Sequence, residues 1–171
     1  MIIRYEILRE HSKANALKIA NYACASKKNF KELMQCFLDK EYRVAQRAAW
    51  SVSWAAKQQP SMIEPYIKTL VQQLQRKDVH NAVIRNTVRI LECIDIPEEF
   101  HGEVMNTCFQ FVEQPATPIA VKAFSLTTLF NLSKHYPEIK RELQLIIEER
   151  WDTETSAFKS RGRKILKAFN P

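Results

Sequence analysis

Glycine occurs twice in this 171-residue chain, at Gly102 and Gly162. Average usage of roughly 7% would supply about 12. Phosphate-cradling loops and dinucleotide fingerprints need two or three glycines close together, because only glycine lets the backbone approach a pyrophosphate. Here the two stand 60 residues apart, so nucleotide sites of that kind are excluded. A β-sandwich or barrel is disfavoured on similar grounds, since its many tight turns draw on residues that tolerate positive φ. What remains is an all-α chain forming one domain over residues 1–171, with turns made by Pro, Asp, Asn and Ser.

Helical periodicity runs through nearly the whole chain, and it recurs. Pro60, Pro97, Pro137 and Pro171 each follow a helical segment and are spaced 37, 40 and 34 residues apart. Between them lies a basic residue that follows a mostly apolar step and opens a helical stretch: Arg47, Arg85, Lys122 and Lys159, spaced 38, 37 and 37. Several landmarks kept in register over such a period indicate repeats. Each repeat reads as two helices. The first helices are expected over Asn29–Asp39, Ser61–Arg76, Glu98–Glu113 and Glu138–Trp151, and the second over Tyr42–Lys57, His80–Ile94, Pro118–Lys134 and Thr155–Phe169. Ser12 can cap a further helix from Lys13 to Ala25, and Ile2–Arg9 is expected to cover the exposed end. The chain therefore divides into cap helices over residues 1–28 and repeats over residues 29–60, 61–97, 98–137 and 138–171.

This period, the helix pairs and the Val-Arg-like step at the head of each second helix resemble HEAT repeats. That family also places an Asp at the turn between paired helices. Asp39 (or Glu41), Asp78 and Asp152 match it, while the third unit has Ala116-Thr117 and departs. The resemblance implies an α-α superhelix of about four helix pairs with an N-terminal capping segment. It implies a protein-binding scaffold more often than a nucleic-acid binder, since a fold does not fix a function.

In the second helix of the first full repeat, Val44, Ala48, Val52 and Ala55 form one stripe, widened by Ala45, Ala49 and Ala56. The opposite side carries Arg47, Trp50 and Trp54. The same side of the next second helix carries Arg85, Arg89 and Glu92, and the last two contribute Lys122, then Lys159 and Arg163. In the family that this chain resembles, second helices line the concave surface. The resemblance thus places Arg47, Trp50, Trp54, Arg85, Arg89, Lys122, Lys159 and Arg163 on one binding strip. Cations interleaved with indoles suit anionic, planar ligands, because phosphates pair with the cations and bases stack on the rings. The same residues have a structural alternative. The basic residues can pair with the turn Asp as a ladder, and the tryptophans can pack against a neighbouring helix.

No reaction is legible. The strip holds one carboxylate, Glu92, and no His or Cys, so no nucleophile–base pair or carboxylate pair is in view. Arg47, Trp50, Trp54 and Glu92 are superficially similar to the basic, Trp-bearing face of the HEAT-like alkylpurine DNA glycosylases, which keeps nucleic-acid binding, with or without base repair, as the second reading. The cysteines (Cys24, Cys36, Cys93, Cys108) and histidines lack metal-site or redox spacing, so no metal and no cofactor is expected. Lys+Arg 26 against Asp+Glu 19 leaves +7, which permits an anionic partner without requiring one. Charge interrupts Met1–Glu6 too early for a signal peptide, and no apolar run reaches the ~20 residues of a membrane span. The expectation is a cytoplasmic, monomeric, non-catalytic repeat scaffold for a protein partner, without membrane association.

Overall fold

The structure, a computed structural model, describes residues 1–170. Its backbone divides into two compact units, Met1–Ile94 and the segment from Asp95 onward. Every described element is helical, and the ten α-helices pack on their chain neighbours as helix pairs. The boundary between the units falls three residues before the end of the expected second repeat, residues 61–97.

The first unit contains α1 (Ile3–Arg9), α2 (Lys13–Cys24), α3 (Lys27–Phe37), α4 (Tyr42–Gln58), α5 (Ile67–Leu74) and α6 (Asn81–Leu91). Its hub is α4, which packs against α1, α2, α3 and α6. Composition explains that position. Val44, Ala48, Ala49, Val52 and Ala55 are wholly buried, and alanines let neighbouring backbones come close on several sides. Phe30, Leu33 and Phe37 of α3, Ile3 and Ile7 of α1, and Ile19 of α2 fill the spaces around this small-residue face. Ser12 and Ser26 cap α2 and α3 by accepting the N–H of Asn15 and Asn29, each at 3.1 Å. The Ser26 cap starts α3 two residues earlier than periodicity alone indicates.

The expected helix Ser61–Arg76 is broken. Pro60 and Pro65 each sit in the first turn of a short 3-10 segment, Pro60–Met62 and Glu64–Tyr66, and the α-helix spans only Ile67–Leu74. Pro65 lacks the N–H that an α-helix begun at Ser61 would need, and its ring crowds the preceding turn. Elsewhere the ends fall within a few residues of expectation.

The second unit contains α7 (His101–Glu113), α8 (Ile119–Leu132), α9 (Ile139–Glu149) and α10 (Ser156–Phe169), with a 3-10 turn, Glu98–Phe100, leading into α7. Here α8 is central, packing on α7, α9 and α10. Its core joins Val104, Cys108 and Val112 to Leu126, Leu129, Leu143, Ile147 and Phe158. His101 is buried. Its Nε2–H donates to Ile96 O at 2.6 Å and its Nδ1 accepts from the Tyr136 hydroxyl at 3.1 Å, so it ties the segment before the 3-10 turn to the turn that follows α8.

Among the described residues none has a positive φ. Helices here end without left-handed caps, which is how a chain with two glycines makes so many turns.

Candidate functional site

The strip residues meet different fates, best followed unit by unit. In the first unit α4 and α6 present Arg47, Trp50, Trp54, Arg85 and Arg89 on the side away from the small-residue face of α4. Arg47 is half-buried. Its guanidinium donates to the carbonyls of Leu8 (2.9 Å) and Ile7 (3.3 Å), satisfying the open C-terminal end of α1. It caps α1, and among the described residues no turn Asp pairs with it.

Trp50 and Trp54 are both partly buried. Trp50 meets the His11 ring edge-on, with centroids 5.3 Å apart and planes at 62°. Two cations lie over Trp54: Arg89 at 5.0 Å and Lys13 at 5.4 Å from the ring centroid. The Trp54 indole N–H is turned inward, and no protein group accepts it. Arg85 is exposed, and neither it, Arg89 nor Lys13 enters an ion pair among the described residues. The result is a compact cationic cluster around two indoles, built from α2, α4 and α6.

His11 and Lys13, at the head of α2, belong to this cluster although periodicity assigned them to the cap segment. The expectation that the strip carries no histidine is thereby corrected. Lost solvation around the His11 ring, with the charges of Arg47 and Arg85 close by, holds its pKa below the ordinary histidine value. The ring is therefore mainly neutral at pH 7. A negative group bound here would reverse the electrostatic part of that shift.

In the second unit the three strip residues do not form an equivalent patch. Lys122 is buried, its side chain only 6% exposed, and its Nζ donates to Glu154 Oε1 at 2.7 Å. Arg150 reaches the same carboxylate at 3.1 Å, and its Nη1 donates to Glu113 O at 2.7 Å. Burial alone would raise the Glu154 pKa, but hydrogen bonds and charge from Lys122 and Arg150 outweigh it and hold the carboxyl below its ordinary range. Lys122 is thus a rung of a structural ladder and is removed from the binding strip. Its partner is Glu154, while Asp152, the acid marked by the family pattern, is exposed. Arg163 is exposed and lies over Trp151 at 5.7 Å, and Lys159 is half-buried.

The other turn acids are held locally. Arg4 of α1 bridges Asp39 and Glu41, and Arg76 chelates Asp78 through Nε (2.9 Å) and Nη2 (2.5 Å). Among the described residues no three His, Cys, Asp or Glu side chains converge as a metal site, and no helix is long and apolar enough to cross a membrane.

Stacked helix pairs with basic residues recurring at the heads of the second helices are the architecture of one known group of proteins. A family model described as a HEAT repeat domain matches residues 3–169. The chain belongs to the HEAT repeat family. The match takes in α1 and α2 as well as the four later helix pairs, so the capping segment is part of this HEAT domain. Comparison with curated proteins and with solved structures returns no match. HEAT repeats are in general protein-interaction modules, and this one is a repeat scaffold.

Proposed function

We infer that this HEAT domain is a non-catalytic module that holds an acidic segment of a protein partner on the cationic face of its first unit. The observation that carries this reading is the occupancy of the indoles. Lys13 and Arg89 lie over Trp54 and His11 lies against Trp50. Rings so covered orient the cations and shield them on one side, which strengthens their attraction for carboxylates. Trp54, with two cations over it, is a poor platform for a nucleobase, because stacking at about 1–3 kcal/mol per base needs a free π-face. Arg85, exposed and without an ion-pair partner, extends the face. Lys159 and Arg163 of the second unit offer further positive charge. The proposal takes the protein to be monomeric and cytoplasmic. In support, all four cysteines are free thiols, and burial pushes Cys36 up to about 11 and Cys108 up to about 12, so both stay protonated and inert.

A direct competition separates the two anionic classes. The full chain is titrated by fluorescence anisotropy, at ~50 mM salt, with a labelled Glu/Asp-rich peptide and with a labelled deoxythymidine oligomer of equal charge. The proposal expects the peptide to bind and the oligomer to compete weakly. Tighter binding of the oligomer, with a steep salt slope of about −0.7 per phosphate neutralised, would replace it with the nucleic-acid reading.

A further inference from the structure

Helix α1 ends in extended backbone at Glu10, with no cap of its own for its last carbonyls. Such carbonyls have no partner within their helix and must find one outside it. Two residues from other helices supply it. Asn15 Nδ2 of α2 donates to the carbonyls of Glu6 (2.8 Å) and Glu10 (2.9 Å). Arg47 of α4 donates to those of Ile7 and Leu8.

Both residues line one small cavity, with about 10 Å³ of room for the centre of a water-sized group. Ile7 and Ile19 form part of its apolar wall, and His11 and Ser51 complete the polar side. Asn15 is 4% and Ser51 1% exposed. Each carries a buried polar atom, Asn15 Oδ1 and Ser51 Oγ, that no protein group meets among the described residues.

Neither atom can be satisfied by a simple local change. Turning the Asn15 amide over would set its oxygen against the Glu6 and Glu10 carbonyls, acceptor against acceptor twice. Oδ1 therefore stays where it is and needs a donor. Ser53, Thr87, Thr107, Thr128 and Ser133 each donate to a carbonyl three or four residues back. Ser51 makes no such bond, which leaves its hydroxyl for the cavity. An unmatched buried polar atom costs its full desolvation, so native proteins rarely leave one.

The lining selects the ligand. An acceptor beside a hydroxyl asks for a group that both donates and accepts. The Arg47 guanidinium disfavours a cation, and Asn15 Oδ1 disfavours an anion. A water needs roughly 10–15 Å³ of such space and two to four polar partners, and nothing larger fits. We propose that this cavity is a binding site for one internal water, which donates to Asn15 Oδ1 and accepts the Ser51 hydroxyl. The water bridges α2 and α4 and fixes the amide that closes the end of α1. The site stands on the cavity alone and holds whether or not the cationic face binds an acidic segment.

A high-resolution crystal structure of the full chain is expected to show one water within about 2.7–3.2 Å of both Asn15 Oδ1 and Ser51 Oγ. No water there, or a Ser51 hydroxyl bonded instead to the Arg47 carbonyl, would overturn the proposal. In solution, ¹⁷O relaxation dispersion of water counts those held for longer than the protein tumbles. Ser51→Val puts methyl groups where the water sits. It should remove one such water and lower the thermal midpoint by about 5 °C, because Asn15 Oδ1 loses its donor. An unchanged count, or a midpoint raised by filling a dry void, would count against the site. Ser51→Ala adds no volume and removes only one partner, so it keeps the test open should the Val variant not fold. Its water is expected to be lost or to exchange about 5-fold faster, and an unchanged residence time would deny Ser51 its part.

Discussion

A Cβ added at Gly162 would stand 2.9 Å from Ile147 Cγ2 and 3.3 Å from the Trp151 ring. Ile147 is wholly buried and cannot swing aside, so α10 approaches α9 through the missing side chain. Gly102, inside α7, has nothing within 4 Å. The same substitution should therefore act in opposite directions. Gly102→Ala is expected to stabilise by about 0.5–1 kcal/mol through helix propensity and a more restricted unfolded chain. Gly162→Ala gains the same term but overpacks the α9–α10 seam, for a net loss of about 1–2 kcal/mol. Thermal unfolding of both variants checks the pair, and equal shifts of one sign would contradict this account of the seam. His11 offers a second residue-scale test. Its pKa sits below the ordinary value, mainly through desolvation and then through Arg47 and Arg85. A bound carboxylate would raise it, so binding takes up a proton and acidic-peptide affinity should rise about three-fold as pH falls from ~7 to ~5.5. The peptide's own carboxylates remain ionised across that range. In His11→Ala the profile should be flat, and a flat profile in the unmodified protein would remove His11 from the site.

At the scale of elements, the buried group of Lys122, Glu154 and Arg150 ties α8 to the turn that precedes α10. Removing one member leaves a buried charge without its partner. Lys122→Met is therefore expected to cost about 3 kcal/mol or more, and Lys122→Met combined with Glu154→Leu to recover most of it. Glu154 also fixes a pH dependence. Its folded pKa lies below the ordinary 4.5, so its contribution is present above that value and is lost as pH falls below it. Acid unfolding of the double variant should show a shallower slope there, and an unchanged slope would deny Glu154 this role. The same group shows what could and could not be seen in the sequence. The register of Arg47, Arg85, Lys122 and Lys159 is legible because it is a periodicity, as is the Val/Ala stripe of α4. The fate of each cation is not, because it depends on what the adjoining segment offers: open carbonyls for Arg47, a carboxylate for Lys122, solvent for Arg85. The helix start marked by Ser12 is legible as a cap, whereas Pro65, outside the repeat register, splits a helix that apolar periodicity runs together. His11 and Lys13 were out of reach, since only packing of α2 on α4 brings them to the tryptophans.

Over the whole molecule the excess of positive charge, +7, would steer the proposed acidic partner by long-range attraction, so its association should slow as salt rises while stability changes little. Composition constrains function in the same way that it constrains fold. Without clustered glycines there is no glycine-rich phosphate loop, and the recognition proposed here rests on side chains of helix faces. The central claim is that the cations around Trp54 form the recognition surface. Anisotropy titration of the full chain with a Glu/Asp-rich peptide, comparing the unmodified protein with Arg85→Glu combined with Arg89→Glu, tests it most directly. The account predicts a loss of about 30-fold in affinity at ~50 mM salt, with the thermal midpoint shifted by no more than about 3 °C. Equal affinity in the two proteins, with the fold intact, would contradict it.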